Sequence, residues 1–268
     1  MEKKSVHSER GSTYYWISRN AYADAKSIVF THGLTANHTM FEKQIDYFSG
    51  EYTIITWDVP LHGESRPYSN FSYENTAKDL LAILEAEKIE KVILVGMSMG
   101  GYPCQEFAIR YVGRVQAFIA VDTTPFGLCY YSKSDQWWLK HVEPIARCFP
   151  DRLLRWGMAK SVSETKYAYD LMIEMLAHLS KQDICEQIGI AYADVFTRTE
   201  PVHFDFPVLI LIGEHDKTGK VMQYCREWAK HDGYPIQVIK NAAHFSNADN
   251  YIDVNRAIDE FISSFARD

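Results

Sequence analysis

Short runs of apolar, mostly β-branched residues alternate along the chain with segments in which apolar residues recur every three or four positions. Consecutive apolar residues predict strands that are covered on both faces, and the longer spacing predicts amphipathic helices. This alternation is typical of an α/β fold with a mostly parallel central sheet and helices on both faces. The predicted strands are Ser27–Thr31, Tyr52–Trp57, Lys91–Val95, Val115–Val121, Val208–Ile212 and Ile236–Lys240, preceded by an edge hairpin in residues 5–18.

Helical spacing is clearest in two segments. The apolar positions of residues 77–84 follow it, and Ser72 is the predicted N-cap because its side chain can accept a hydrogen bond from the first turn. Residues 254–265 keep the same spacing for three turns. Shorter helices are predicted near residues 41–48 and 221–228.

The strand pattern stops between Thr124 and Pro201, where the sequence becomes helical and rich in aromatic residues. We therefore expect residues 1–124 and 202–268 to form an α/β core, with residues 125–201 inserted after the sixth strand as a helical cap. No Gly/Ser-rich linker bounds this insertion, so the cap is expected to pack on the core and not to form an independent domain.

Composition and charge narrow the classes of partner. Of the 268 residues 47% are hydrophobic and 24% charged, which is typical of a globular protein. Lys and Arg number 28 against 35 Asp and Glu, and the resulting charge of −7 disfavours nucleic acid and membrane surfaces as partners. Five widely spaced cysteines are not a disulfide framework. We expect reduced thiols and a cytoplasmic protein without a signal peptide or membrane span.

A candidate nucleophile lies between a predicted strand and a predicted helix, in the segment Gly96-Met97-Ser98-Met99-Gly100. This G-x-S-x-G pattern in that context indicates a nucleophile elbow, because small residues on both sides relieve crowding in a strained turn. The alternative is that the glycines only cap a strand-to-helix turn. They fit neither a dinucleotide fingerprint nor a phosphate loop, and we expect no cofactor.

A serine hydroxyl is a weak nucleophile, so Ser98 needs a nearby base and a third group that fixes the tautomer of this base. Asp216 follows the predicted strand 208–212, and His244 follows the next strand, which gives the chain order Ser, Asp, His of this arrangement. Glu214 and Asp122 are alternatives for the acid, since each also lies at or just beyond a strand end.

These residues give the chain a resemblance to the α/β-hydrolase superfamily, which the elbow carries together with the segments GEHD (213–216) and AAHFSN (242–247). Two further segments agree with it. Thr31–Leu34 resembles the family's HG-type oxyanion loop, and residues 57–65 (WDVPLHGES) resemble its D-x-P-G-H-G-x-S turn, with Leu61 in place of a glycine. The resemblance covers nearly the whole chain and is weakest across the predicted cap.

The resemblance implies a serine hydrolase that cleaves a carboxylic ester of a small apolar substrate. Ser98 would be the nucleophile, His244 the base and Asp216 the group that orients the base. The backbone amides of Leu34 and Met99 would form the oxyanion hole. A lactonase or a C–C bond hydrolase with the same triad is an alternative, and so is a small-molecule receptor on a hydrolase scaffold.

Three tryptophans of the predicted cap, Trp137, Trp138 and Trp156, are candidates for the ceiling of an apolar substrate pocket. They serve equally well to pack the cap helices together. No H-E-x-x-H pair or Cys/His cluster occurs in the sequence, so no metal site is expected.

Overall fold

The computed structural model describes residues 1–22, 25–191, 195 and 201–265, and eight strands in these residues form one sheet. The strands are β1 (Glu2–Ser8), β2 (Gly11–Ser18), β3 (Ser27–Thr31), β4 (Thr53–Trp57), β5 (Val92–Met97), β6 (Val115–Val121), β7 (Val208–Gly213) and β8 (Ile236–Ile239). Their order across the sheet is β1-β2-β4-β3-β5-β6-β7-β8. Neighbours from β4 to β8 run parallel, whereas β2 is antiparallel to both β1 and β4. The predicted mostly parallel sheet is confirmed.

The α-helices of the described residues are α1 (Glu42–Phe48), α2 (Tyr73–Ala86), α3 (Gly101–Arg110), α4 (Lys133–Cys148), α5 (Asp151–Val162), α6 (Lys166–Ala177), α7 (Lys181–Ala191), α8 (Val221–Asp232), α9 (Ser246–Asp249) and α10 (Tyr251–Phe265). Ser72 caps α2 as predicted, accepting a hydrogen bond from the Asn75 amide. Among these helices, none combines the length and the apolar character that crossing a bilayer requires.

Helices cover both faces of the sheet. Leu94 of β5 belongs to the apolar cluster that α2, α3 and α8 form with one face, and Trp228 of α8 is fully buried there. The next residue, Val95, belongs to the opposite cluster, which contains Phe41 and Ile258. Successive side chains of a strand point to opposite faces, so burial on both faces explains the consecutive apolar residues in the sequence.

Four helices, α4 to α7, lie between β6 and β7 in the chain, and we call them the inserted helices. In them α4 packs against α7 and α5 against α6. The division of the chain at residues 124 and 202 stays a prediction. Residues 192–194 and 196–200 of the predicted cap lie outside the described residues.

Candidate active site

The turn after β5 holds Ser98 in a strained conformation, with a φ of 50°. The two glycines of the motif make this turn sterically feasible. A Cβ at position 100 would lie 2.1 Å from the Thr31 carbonyl oxygen, and one at position 96 would lie 2.7 Å from the Gly100 carbonyl oxygen. The close approach of the elbow to β3 therefore leaves no room for a side chain at position 100, and the tight turn itself leaves none at position 96.

Gly100→Ala is expected to destabilise the protein by about 3 kcal/mol or more, because the new methyl group meets backbone atoms that have no room to move. Gly157→Ala is the matched control. A Cβ at position 157, inside α5, has no atom within 4 Å, and alanine in a helix interior is expected to stabilise by about 1 kcal/mol. Denaturant unfolding of both variants measures the difference, and equal stability of the two would be inconsistent with the crowded turn.

His244 connects Ser98 to Asp216 by two hydrogen bonds. Its Nδ1 lies 2.9 Å from Asp216 Oδ2, and its Nε2 lies 2.8 Å from Ser98 Oγ. An ionised carboxylate only accepts hydrogen bonds, so Nδ1 carries the proton and Nε2 accepts the serine hydroxyl. The structure thus brings together the three residues that the sequence predicts as nucleophile, base and acid, at the carboxyl ends of β5, β7 and β8.

The interaction between Asp216 and His244 shifts the pKa of each group more strongly than burial does. Burial favours the neutral carboxyl of Asp216, but the hydrogen bond and charge of His244, with the Thr218 amide at 2.8 Å, hold its pKa below the usual value. Burial also favours neutral His244. The hydrogen bond and charge of Asp216, aided by the charge of Asp122, nevertheless raise the pKa of His244 above its usual 6.5. The imidazole is therefore a stronger base than a free histidine.

The pH dependence follows from these two shifts. A base must be neutral to accept a proton, so kcat/KM should fall as the pH drops through the raised pKa of His244, while Asp216 stays ionised. We expect the midpoint of this acid limb above 6.5 in a pH–rate profile. Asp122→Asn removes a nearby carboxyl group that contributes to the raised pKa of His244, and should move the limb slightly to lower pH. A wild-type midpoint below 6.5 would argue against the assigned base.

Asp122, the alternative acid, occupies a different place in the site. It follows β6 with a φ of 47° and is fully buried. Its Oδ1 accepts the Gly213 amide at 2.7 Å, and its Oδ2 accepts the amide of Ser246 at 3.3 Å and its hydroxyl. Burial raises the pKa of Asp122 to about 7. Among the described residues this carboxylate therefore joins the end of β7 to the histidine loop and makes no hydrogen bond to His244.

Glu214, the other alternative, lies on the outside of the acid loop. Its carboxylate accepts the Asn241 amide at 3.1 Å, and its side chain is 43% exposed. It thus lies outside the chain of hydrogen bonds that reaches the serine.

The loop after β3 is held next to the serine by a buried histidine. His32 Nδ1 donates to the Gly33 carbonyl at 2.7 Å, and its Nε2 accepts the Val59 amide at 3.0 Å. Burial lowers the pKa of His32 to about 4, so the ring is neutral and both bonds are retained at physiological pH. Leu34 and Met99 both line the cavity that contains the serine. Their role as oxyanion donors stays a prediction.

A cavity of about 340 Å³ lies above Ser98 and His244. Its walls are mostly apolar, with five methionines: Met40, Met97, Met99, Met158 and Met172. Apart from tyrosines, the acidic or basic side chains among the described lining residues are those of Asp122, Lys220 and His244. Lys220 forms an ion pair with Asp135 of α4 at 2.8 Å. The cavity is therefore suited to an uncharged, apolar ligand.

The three tryptophans predicted for the pocket ceiling do not line the cavity. Trp137, Trp138 and Trp156 are 55%, 57% and 53% exposed. Leu139 and Val142 of α4 line it instead, together with residues of α5. The i, i+3 spacing of Leu139 and Val142 is the sequence pattern that could have identified them as the cavity-lining residues of α4. Each residue turns a helix by about 100°, so the neighbouring tryptophans face outward.

Comparison with known proteins agrees with the fold. A family model described as alpha/beta hydrolase fold matches residues 26–142. The chain is 37% identical to 3-oxoadipate enol-lactonase 1 of Acinetobacter baylyi over 203 residues, 74% of each chain. It is 25% identical to 3-oxoadipate enol-lactonase 2 of the same organism over 256 residues, 91% of each chain.

A solved structure, the enol-lactonase from Burkholderia xenovorans LB400, superposes with a TM-score of 0.79 at 19% identity, covering 97% of this chain and 100% of that one. Similarity at this identity shows the fold. The sequence relatives go further, and the chain belongs to the α/β-hydrolase family. Its relationship to these enzymes supports a hydrolase that acts on a small molecule.

Proposed function

We propose that the protein is a serine hydrolase that cleaves a carboxylic ester, or a similar acyl bond, of a small apolar substrate through an acyl-enzyme. One observation carries the proposal, namely the unbroken chain of hydrogen bonds from Asp216 through His244 to Ser98 beneath an apolar cavity. The distance from His244 Nε2 to Ser98 Oγ is that of a base in hydrogen-bond contact with its nucleophile, and the distance from Nδ1 to Asp216 is that of a base held by a third group.

In the first half of the reaction, Ser98 Oγ attacks the acyl carbon and its proton passes to His244 Nε2. Asp216 stabilises the resulting imidazolium, and the amides of Leu34 and Met99 bind the oxyanion of the tetrahedral intermediate. When the intermediate collapses, the bond from the acyl carbon to the leaving oxygen breaks. His244 donates the proton that it took from Ser98 to that oxygen. An alcohol departs, and Ser98 remains acylated.

In the second half, water enters and His244 Nε2 accepts one of its protons as the water oxygen attacks the acyl carbon. The second tetrahedral intermediate expels Ser98 Oγ, which takes the proton back from the imidazole. The products are a carboxylic acid and the free enzyme. Over the cycle one ester and one water become one acid and one alcohol.

The cavity predicts a preference for uncharged acyl groups. Of its described lining residues Lys220 is the one cation apart from the base, and Asp135 already pairs with it. A substrate carboxylate in this cavity would lose its hydration without gaining a free partner. Between esters that differ only in a terminal methyl or carboxylate, we expect kcat/KM to favour the neutral one by about a hundredfold or more.

Asp135→Asn provides the matched control for this preference. Asparagine retains a side-chain oxygen for the cap of α4, where Asp135 accepts from the Ser132 amide at 3.2 Å, but it releases Lys220 from its ion pair. The ratio of kcat/KM for the neutral ester to kcat/KM for the charged ester should be smaller in this variant than in the wild-type protein. Equal rates for both esters in the wild-type protein would refute the neutral-substrate assignment.

Lactones are the second candidate substrate class. The named relatives are enol-lactonases, and a lactone is an internal ester in which the leaving alcohol stays attached to the acyl group. The steps at Ser98, His244 and Asp216 are the same for both. A panel of open-chain esters, lactones of equal carbon number and β-diketones tests the reaction class. Turnover of an ester or lactone supports the proposal, and turnover of diketones alone, or binding without any turnover, overturns it.

A further inference from the structure

Large apolar side chains are exposed in one part of the inserted helices. Of thirteen such residues exposed in the described chain, six fall within residues 137–156. We call these six the apolar outer face: Trp137, Trp138, Ile145, Phe149, Leu153 and Trp156. From Trp138 onward they follow α4, the turn between α4 and α5, and the first part of α5. Trp137 and Trp138 contact each other, with ring centroids 5.4 Å apart. A concentration of exposed apolar side chains in one short segment indicates an interaction surface.

This face is distinct from the packing surface of the same helices. Leu139 and Val142 of α4, with Met158 and Val162 of α5, line the catalytic cavity on the inner side. The two helices therefore have apolar residues both inside and outside, and the protein's own fold uses only the inner set. The outer set lacks a covering element among the described residues.

The charge of the segment that carries the apolar outer face indicates which kind of partner can bind there. Residues 133–162 contain six Lys and Arg against three Asp and Glu, a charge of +3 in a chain of −7. Lys133, Arg152 and Lys160 are exposed. A second copy bound face to face would bring the same positive charge against itself, which is unfavourable, whereas an anionic surface would attract it.

We propose that the apolar outer face docks on an anionic phospholipid surface, with its aromatic side chains at the level of the headgroups. Tryptophan prefers this region because its ring is amphipathic, and adjacent Lys and Arg are attracted to anionic lipids. Although the net charge of the whole chain disfavours such a surface, the local charge favours it. Ser161 of α5 is exposed and lines the cavity, so the cavity reaches the surface at α5, a helix that also carries part of the docking face. The proposal does not depend on the proposed function.

Sedimentation with lipid vesicles tests the proposal. The full chain should bind vesicles of phosphatidylcholine mixed with phosphatidylserine, and should not bind vesicles of phosphatidylcholine alone. Binding should be lost at about 1 M salt, where screening acts over about 3 Å. The three exposed tryptophans all belong to the docking face, whereas Trp57 and Trp228 are fully buried. Tryptophan emission should therefore shift to the blue on binding.

The decisive comparison uses two matched variants. Replacing Trp137, Trp138 and Trp156 by serine should abolish vesicle binding, while Ile252→Ser, which removes a 64% exposed residue from α10, should leave it intact. Circular dichroism confirms that both variants are folded. The proposal is overturned if the wild-type protein does not bind the anionic vesicles, or if the tryptophan variant binds as well as the wild type. It is also overturned if the face instead forms a dimer that the tryptophan substitutions dissociate.

Discussion

Ser98→Ala is expected to lower kcat for a chromogenic short-chain ester by about 10⁶-fold, because the variant has no atom that can form the acyl-enzyme. The fold should be unaffected, since the hydroxyl bonds to His244 and the backbone turn is set by the flanking glycines. Steady-state kinetics measures the loss, and the thermal unfolding midpoint shows that the protein remains folded.

A second serine in the same cavity provides the control. The Ser161 hydroxyl donates to the Met158 carbonyl at 3.0 Å and, among the described residues, makes no hydrogen bond to an imidazole. Ser161→Ala should therefore reduce turnover far less than Ser98→Ala. Near-normal turnover in Ser98→Ala would require a different nucleophile and would remove the basis of the proposed function.

Asp216→Asn is expected to lower kcat by about 10⁴-fold. Asparagine presents an N–H group where the carboxylate accepted a hydrogen bond, so the imidazole is driven to the tautomer in which Nδ1 accepts. Nε2 then carries a proton toward Ser98 and can no longer act as the base. The measurement is kcat for the same ester at a pH above the acid limb.

Asp122→Asn makes the same chemical change at the other buried carboxylate near His244. Because Asp122 binds Gly213 and Ser246, its replacement should cost about 1–3 kcal/mol of stability and much less activity than Asp216→Asn. If the two substitutions reduced kcat equally, or Asp122→Asn reduced it more, the assignment of the acid would be wrong.

The sequence predicted the sheet well because its strands are buried on both faces. Leu94 and Val95 are buried on opposite faces, so consecutive residues of the strand are apolar. A strand with one face in solvent alternates apolar and polar residues instead. The polar residues that follow β7 and β8 are equally informative, since parallel strands end at one edge of the sheet. Asp216 and His244 were therefore predictable without knowledge of any distance.

Two features of the site depend on three-dimensional details that residue type alone does not determine. Asp122 also follows a strand, and only the path of the histidine loop decides that it meets Ser246 and not the imidazole. The tryptophans of α4 stand next to a cavity-lining leucine in the sequence, but the rotation of the helix turns them outward. Residue type alone could not reveal which side of the helix meets the core.

Reaction of the protein with a fluorophosphonate, followed by intact mass and peptide mapping, tests the central claim most directly. Such a reagent phosphonylates a serine whose proton is withdrawn by a base. We expect one adduct per chain, located on Ser98 and absent in Ser98→Ala. It should form more slowly as the pH falls through the pKa of His244. An unmodified protein, or an adduct on another residue, would contradict the central claim.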